Sequence, residues 1–133
     1  MTECLFCRIA NRTVPSQVIY EDQEHLGFLD ILQNTKGQAV VITKKHFGSD
    51  PSRMPKKAYS EMHLAAQKVM QLLNKALNPA RTCLIIEGME IDHIHVKLFP
   101  VYPGHHLGEF VRPGTRASED ELADTAALIT GSR

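Results

Sequence analysis

A chain of 133 residues, 43% of them hydrophobic, is large enough to form one domain around an apolar core. Lys+Arg and Asp+Glu balance at 15 each, which argues against nucleic acid as the main partner but not against a small anion held at one site. No apolar run approaches the roughly 18 to 20 residues that span a bilayer. Met1-Thr2-Glu3-Cys4 lacks the charged and apolar regions of a signal peptide, so a cytoplasmic protein with no membrane partner is expected.

The first sixteen residues form a basic-polar lead broken by Pro15. Within it, Cys4-Leu5-Phe6-Cys7 has the spacing of a metal clip or a redox pair. The total of three cysteines is odd, which speaks against a disulfide framework. Gln17–Glu21 and Leu26–Asp30 read as short strands joined by the polar turn Asp22-Gln23-Glu24. Gly37 precedes a third strand, Gln38–Ile42, rich in β-branched residues and closed by Lys44-Lys45-His46. Gly48-Ser49-Asp50-Pro51 makes a loop. Between Pro55 and Leu77, apolar residues from Met62 to Leu77 recur at three- and four-residue steps, predicting a long amphipathic helix that Asn78-Pro79 ends. Arg81–Glu87 reads as a fourth strand with Cys83 as a buried small hydrophobe, and a tight Gly88-Met89-Glu90 turn leads into a fifth. Ser118-Glu119-Asp120-Glu121 is a capping box for a final helix presenting Leu122, Ala126 and Ile129. The expected fold is α+β, a five-stranded antiparallel sheet packed by one long helix, with residues 102–133 as a helical extension of a single domain spanning 1–133.

The fifth strand carries the most informative pattern, His93-Ile94-His95-Val96-Lys97-Leu98-Phe99. In an extended strand, His93, His95 and Lys97 share one face about 7 Å apart, while Ile94, Val96 and Leu98 face the core. Such a polar row suits a phosphate or metal site; it also suits a half-exposed strand with no site. Cys4, Cys7, His46 and His93 form a candidate structural zinc set, if the fold gathers them, because zinc takes thiolates and imidazoles tetrahedrally. Otherwise they are two surface thiols and two unrelated histidines. His95 is the candidate nucleophile, since a neutral imidazole can attack phosphorus and form a phosphoramidate. A metal-bound His93 would add no charge, and Lys97 would lower the pKa of His95 and neutralise developing phosphoryl charge. Asp30 can accept ribose hydroxyls with Phe28 and Ile31 offering apolar surface to a base, or it can simply form a turn.

Taken in order, these residues resemble the histidine triad (HIT) family of nucleotide-binding proteins and hydrolases. The family pattern His-φ-His-φ-His-φ-φ, with φ apolar, appears as His93-Ile94-His95-Val96-Lys97-Leu98-Phe99, followed by Pro100. Cys-x-x-Cys, Phe-Leu-Asp-Ile, Lys-Gly before an apolar strand and Lys-Lys-His at its end extend the resemblance over about residues 3–101. It implies a homodimer that binds purine nucleotides, with His95 as nucleophile, Asp30 as ribose acceptor and the Cys4, Cys7, His46, His93 set on zinc. Departures are equally specific. Lys97 replaces the third histidine, and Gln38 stands where many members carry a histidine, joining Phe28, Asp30 and Ile31 as the candidate substrate-binding set. Met89 and Glu90 follow a shortened turn where phosphate-holding Gln and Ser/Thr are common, and Glu90 would repel phosphate.

The expected function is hydrolysis or transfer at a nucleotide α-phosphate, on a dinucleoside polyphosphate or nucleotide conjugate, through a nucleotidyl-histidine. Two other classes compete: a nucleotide-binding regulator with little turnover, and a zinc-stabilised interaction module.

Overall fold

The computed structural model describes residues 4–131; Met1–Glu3, part of the N-terminal reading, and residues 132–133 lie outside the described residues. A five-stranded antiparallel sheet is formed by β1 (Val18–Glu21), β2 (His25–Leu29), β4 (Ala39–Thr43), β6 (His95–Val101) and β5 (Arg81–Ile85), in that spatial order. The central strands β2, β4 and β6 are rich in β-branched and large apolar residues, which suit a pleated surface buried on both sides.

One face of the sheet carries Leu29, Val41, Val96 and Leu98, packed on Met62, Ala65, Ala66, Val69 and Leu73 of α2 (Lys56–Leu77). Asn78 ends α2 in the left-handed conformation, its N–H bonded to the Asn74 carbonyl. Before β4, Gly37 has φ +89°, and a side chain there would strike Leu77, so the turn requires glycine. The final helix, α3 (Glu119–Gly131), adds Leu122, Ala126 and Ile129 to the same core. Its capping box forms as expected: Ser118 Oγ accepts from the Glu121 N–H, and the Glu121 carboxylate accepts from the Ser118 N–H.

The opposite face carries Leu26, Phe28, Val40 and Ile42, with His95 and Lys97 beside them by register (Ile42 opposite His95, Val40 opposite Lys97). Part of this face is covered by α1 (Leu5–Ala10), which buries Phe6 and Ile9. The sequence carries no local signal for this helix. Six residues are too few to show periodicity, and the helix depends on tertiary packing. A two-stranded ribbon of β3 (Leu32–Gln33) and β7 (Thr115–Arg116) likewise has no local signal in the sequence.

The structure differs from four expectations. His93 precedes β6 instead of lying within it, and β5 stops at Ile85. The β5–β6 connection is the longer segment 86–94, not a tight turn, because its polar groups are tied to the loop after β4. Ile94 N–H donates to the Phe47 carbonyl, Ser49 Oγ to the Gly88 carbonyl, and Ser49 N–H to the Asp92 carboxylate. Cys83 is half-buried on the edge strand, so it is not a core residue. Among the described residues, no helix is long and apolar enough to cross a membrane.

Candidate metal cluster and histidine site

Cys4 and Cys7 flank the first turn of α1, where Cys4 is the N-cap and its sulfur accepts the Cys7 N–H at 3.3 Å. This turn faces His46, just after β4, and His93, just before β6. The donor atoms of Cys4, Cys7, His46 and His93 all lie within 4.8 Å of one another. His93 Nδ1 is 3.3 Å from Cys4 Sγ, 3.4 Å from Cys7 Sγ and 3.2 Å from His46 Nδ1, and Cys7 Sγ is 3.3 Å from His46 Nδ1. Zinc–nitrogen and zinc–sulfur bonds of about 2.0 to 2.3 Å give tetrahedral edges of roughly 3.3 to 3.8 Å. These four separations lie at or close to the short end of that range, and the two remaining pairs lie within 4.8 Å.

The tautomer of His93 fits as well. Its Nε2 lies 2.8 Å from the Thr43 carbonyl, which can only accept, so Nε2 carries the proton and Nδ1 turns its lone pair to the cluster. Burial holds the His93 pKa below the usual histidine value, favouring the neutral ring that a metal needs. Burial and the adjacent Cys4 thiol push the Cys7 thiol up to about 11. A nearby cation would favour the Cys7 thiolate. The donor set therefore fits a metal ion.

His95 is buried, 3% exposed, with its Nδ1 2.7 Å from the His93 carbonyl. The same logic places the proton on Nδ1 and leaves a free lone pair on Nε2. Phe6 packs edge-on against the ring at 4.9 Å, a contact the sequence reading misses although Phe6 sits between the two cysteines. Burial is the main cause that lowers the His95 pKa, and the Lys97 charge adds to it.

Lys97 does project on the His95 face, but its ammonium is 2.8 Å from the Glu87 carboxylate. Glu87 carries no local signal of this pairing; it reaches Lys97 because Ile85 pairs with Lys97 across β5 and β6. Glu90, read as the phosphate-repelling group, is exposed, and neighbouring Met89 is 85% exposed.

Asp30 follows β2 and accepts from Leu32 N–H at 3.0 Å and from Gln38 Nε2 at 2.9 Å. Burial raises its pKa despite these bonds and the nearby Lys97 and His95. Gln38 is buried with its amide committed on both ends, to Asp30 and to the Asn34 N–H. It is placed to hold Asp30 more than to meet a ligand. Phe28 is 4% exposed and packs against Phe6, whereas Ile31 is 48% exposed. Ile31, not Phe28, has apolar surface open to a flat ring.

The HIT domain family model matches residues 11–107. The chain belongs to the HIT family. An uncharacterized HIT-like protein of Methanocaldococcus jannaschii is 33% identical over 115 residues, spanning 84% of this chain and 87% of that protein. An adenosine 5'-monophosphoramidase of Saccharomyces cerevisiae is 29% identical over 107 residues, 73% of this chain and 61% of the yeast protein. Among solved structures, a zinc-bound histidine triad family protein of Mycobacterium smegmatis superposes with a TM-score of 0.83 at 26% identity, covering 98% of this chain and 93% of that one. A Sulfolobus tokodaii structure reaches a TM-score of 0.85 at 24% identity, covering 97% and 91%, and shares the HIT fold.

Proposed function

We propose that this HIT protein cleaves nucleotide conjugates at the α-phosphate through a nucleotidyl-His95 intermediate. The observation that carries this reading is the 2.7 Å separation of His95 Nδ1 from the His93 carbonyl, an acceptor that fixes the proton on Nδ1. A buried imidazole whose Nδ1–H is held by a backbone carbonyl presents Nε2 on the sheet face that also carries Lys97. Nε2 attacks the α-phosphorus, the phosphorus–leaving-group bond breaks, and its electron pair departs with the leaving group, which takes up a proton from solvent that the attacking water returns in the second step. Water then displaces His95, releasing the nucleoside monophosphate and restoring the ring. Lys97 offsets charge on the phosphoryl oxygens, Asp30 accepts ribose hydroxyls, Gln38 fixes the Asp30 carboxylate, and Ile31 contacts a purine base while Phe28 supports that wall from behind.

Cys4, Cys7, His46 and His93 hold one zinc ion, whose closed four-ligand shell is structural and ties α1 to the strand carrying His95. The yeast relative's activity makes adenosine phosphoramidates the first substrates to try, with dinucleoside polyphosphates second. We further read the protein as a homodimer, supported by the partly exposed Leu84 on the edge strand β5. A regulator with little turnover is the second reading, favoured by the Glu87 carboxylate already occupying Lys97. Steady-state assays on adenosine 5'-phosphoramidate separate the two. Release of adenosine monophosphate by the parent and none by His95→Ala supports the enzyme; nucleotide binding without release by either supports the regulator.

A further inference from the structure

The segment 102–117 packs Phe110 on the end of β6 and returns beside Asp30, where the Ala117 N–H meets the Ile31 carbonyl. Phe110, 7% exposed, packs against Phe99 with ring centroids 5.1 Å apart and planes tilted by 41°, and Phe99 lies in β6 on the same face as His95 and Lys97. The segment then pairs as β7 with β3, and the Ala117 N–H donates to the carbonyl of Ile31, the residue next to Asp30. Asn34 joins the two. Its side-chain amide donates to the Glu109 carbonyl at 2.6 Å and to the Arg112 carbonyl at 2.8 Å. Both partners can only accept, so the amide orientation is fixed by chemistry. The Asn34 backbone N–H donates to Gln38 Oε1 at 2.6 Å, and Gln38 Nε2 in turn donates to Asp30 Oδ2 at 2.9 Å.

Close packing seals this junction. A Cβ at Gly114 would stand 2.8 Å from the Gln33 carbonyl carbon and 2.9 Å from Asn34 Oδ1, closer than real contacts allow. Two rigid peptides meet there, so even a methyl group must push the segment away.

We infer that segment 102–117 is a strap that sets ribose recognition, with Asn34 as the positioning residue linking strap carbonyls to Asp30 through Gln38. The inference rests on the assignment of Asp30 as ribose acceptor. Undocking the strap releases the Asn34 amide, frees the 31–38 loop and lets Gln38 turn away, so the Asp30 carboxylate loses its fixed aim.

The test measures binding of adenosine monophosphate and of its 2',3'-dideoxy analogue to the full chain, for the parent, Asp30→Asn, Asn34→Ala and Gly114→Ala. Gly114→Ala perturbs the strap side and Asn34→Ala the loop side, so loss of folding in one leaves the other informative. Hydrogen bonds to a charged group predict a parent preference for ribose of roughly ten- to a hundredfold. Asp30→Asn should bring that preference to within about threefold of unity, and both strap variants should lower it by about tenfold. General destabilisation would weaken both ligands equally and leave the ratio unchanged. A flat ratio in Asp30→Asn with the parent's ratio kept in both strap variants overturns the strap while sparing the ribose assignment. The parent's ratio kept in Asp30→Asn overturns the ribose assignment and the strap with it.

Discussion

Replacing Lys97 by methionine separates a phosphate-gripping lysine from a merely solvated one. Lys97 and Glu87 are 24% and 32% exposed and their charged atoms are 2.8 Å apart. For a pair this open, solvent screening limits the contribution to folding to about 0.2 to 1 kcal/mol, and methionine keeps most of the apolar stem contact. Stability should therefore fall by less than about 1 kcal/mol in chemical denaturation. The pH dependence changes in a defined direction. The hydrogen bond from Lys97 lowers the Glu87 pKa, so the pair stabilises the fold above the unfolded carboxyl value of about 4.3 and ceases to as pH falls through the folded value. In Lys97→Met that acid-side loss should shrink. Catalysis should respond on a different scale. Losing one donor aimed at developing charge costs about 3 to 4 kcal/mol, two to three orders of magnitude in the single-turnover rate. The substitution also leaves the Glu87 carboxylate unpaired near the phosphate, so Glu87→Gln added to Lys97→Met should recover part of the loss. A rate change under about threefold in Lys97→Met would refute the phosphate role and reduce the pair to a surface contact.

Metal analysis should find about one zinc per chain in the parent and none in Cys4→Ser/Cys7→Ser. Chelation should destabilise the fold by about 2.7 kcal/mol or more where free zinc exceeds a hundred times its dissociation constant; equal metal in both proteins would reject the site. Asp30→Asn should weaken nucleotide binding and remove a buried charge, while its new N–H faces either the Leu32 N–H or Gln38 Nε2, so its stability relative to the parent should improve as pH rises. Burial raises the Asp30 pKa, so the folded state holds this proton more tightly and the carboxylate lowers stability as pH rises from the unfolded value of about 3.9 through the folded one. Denaturation curves at several pH values check the sign, and a parent that gains stability relative to Asp30→Asn as pH rises through that window would contradict it.

The sheet and α2 were legible because their signals are local and periodic. Alternation in β6 separates His95 and Lys97 from Val96 and Leu98, and the three- and four-residue steps of α2 mark Met62, Ala66, Val69 and Leu73 for the core. The gathering of Cys4, Cys7, His46 and His93 was anticipated from ligand chemistry and the family resemblance, and the geometry agrees. What escaped the sequence depends on tertiary pairing. The helix α1 forms around buried Phe6 and Ile9, segment 86–94 is held by bonds to Phe47 and Ser49, and Glu87 becomes a site residue only through the register of β5 on β6. Phe28 shows the same limit from the other side: its strand position was read correctly, but α1 covers it.

Trapping the intermediate tests the central claim most directly. The parent is mixed with adenosine 5'-phosphoramidate, quenched within one turnover under conditions that preserve phosphorus–nitrogen bonds, and analysed by intact mass. The account predicts a mass gain of one adenylyl group, lost in acid, mapped to His95 and absent from His95→Ala. Release of adenosine monophosphate with no adduct at any quench time, and at an undiminished rate in His95→Ala, would contradict it.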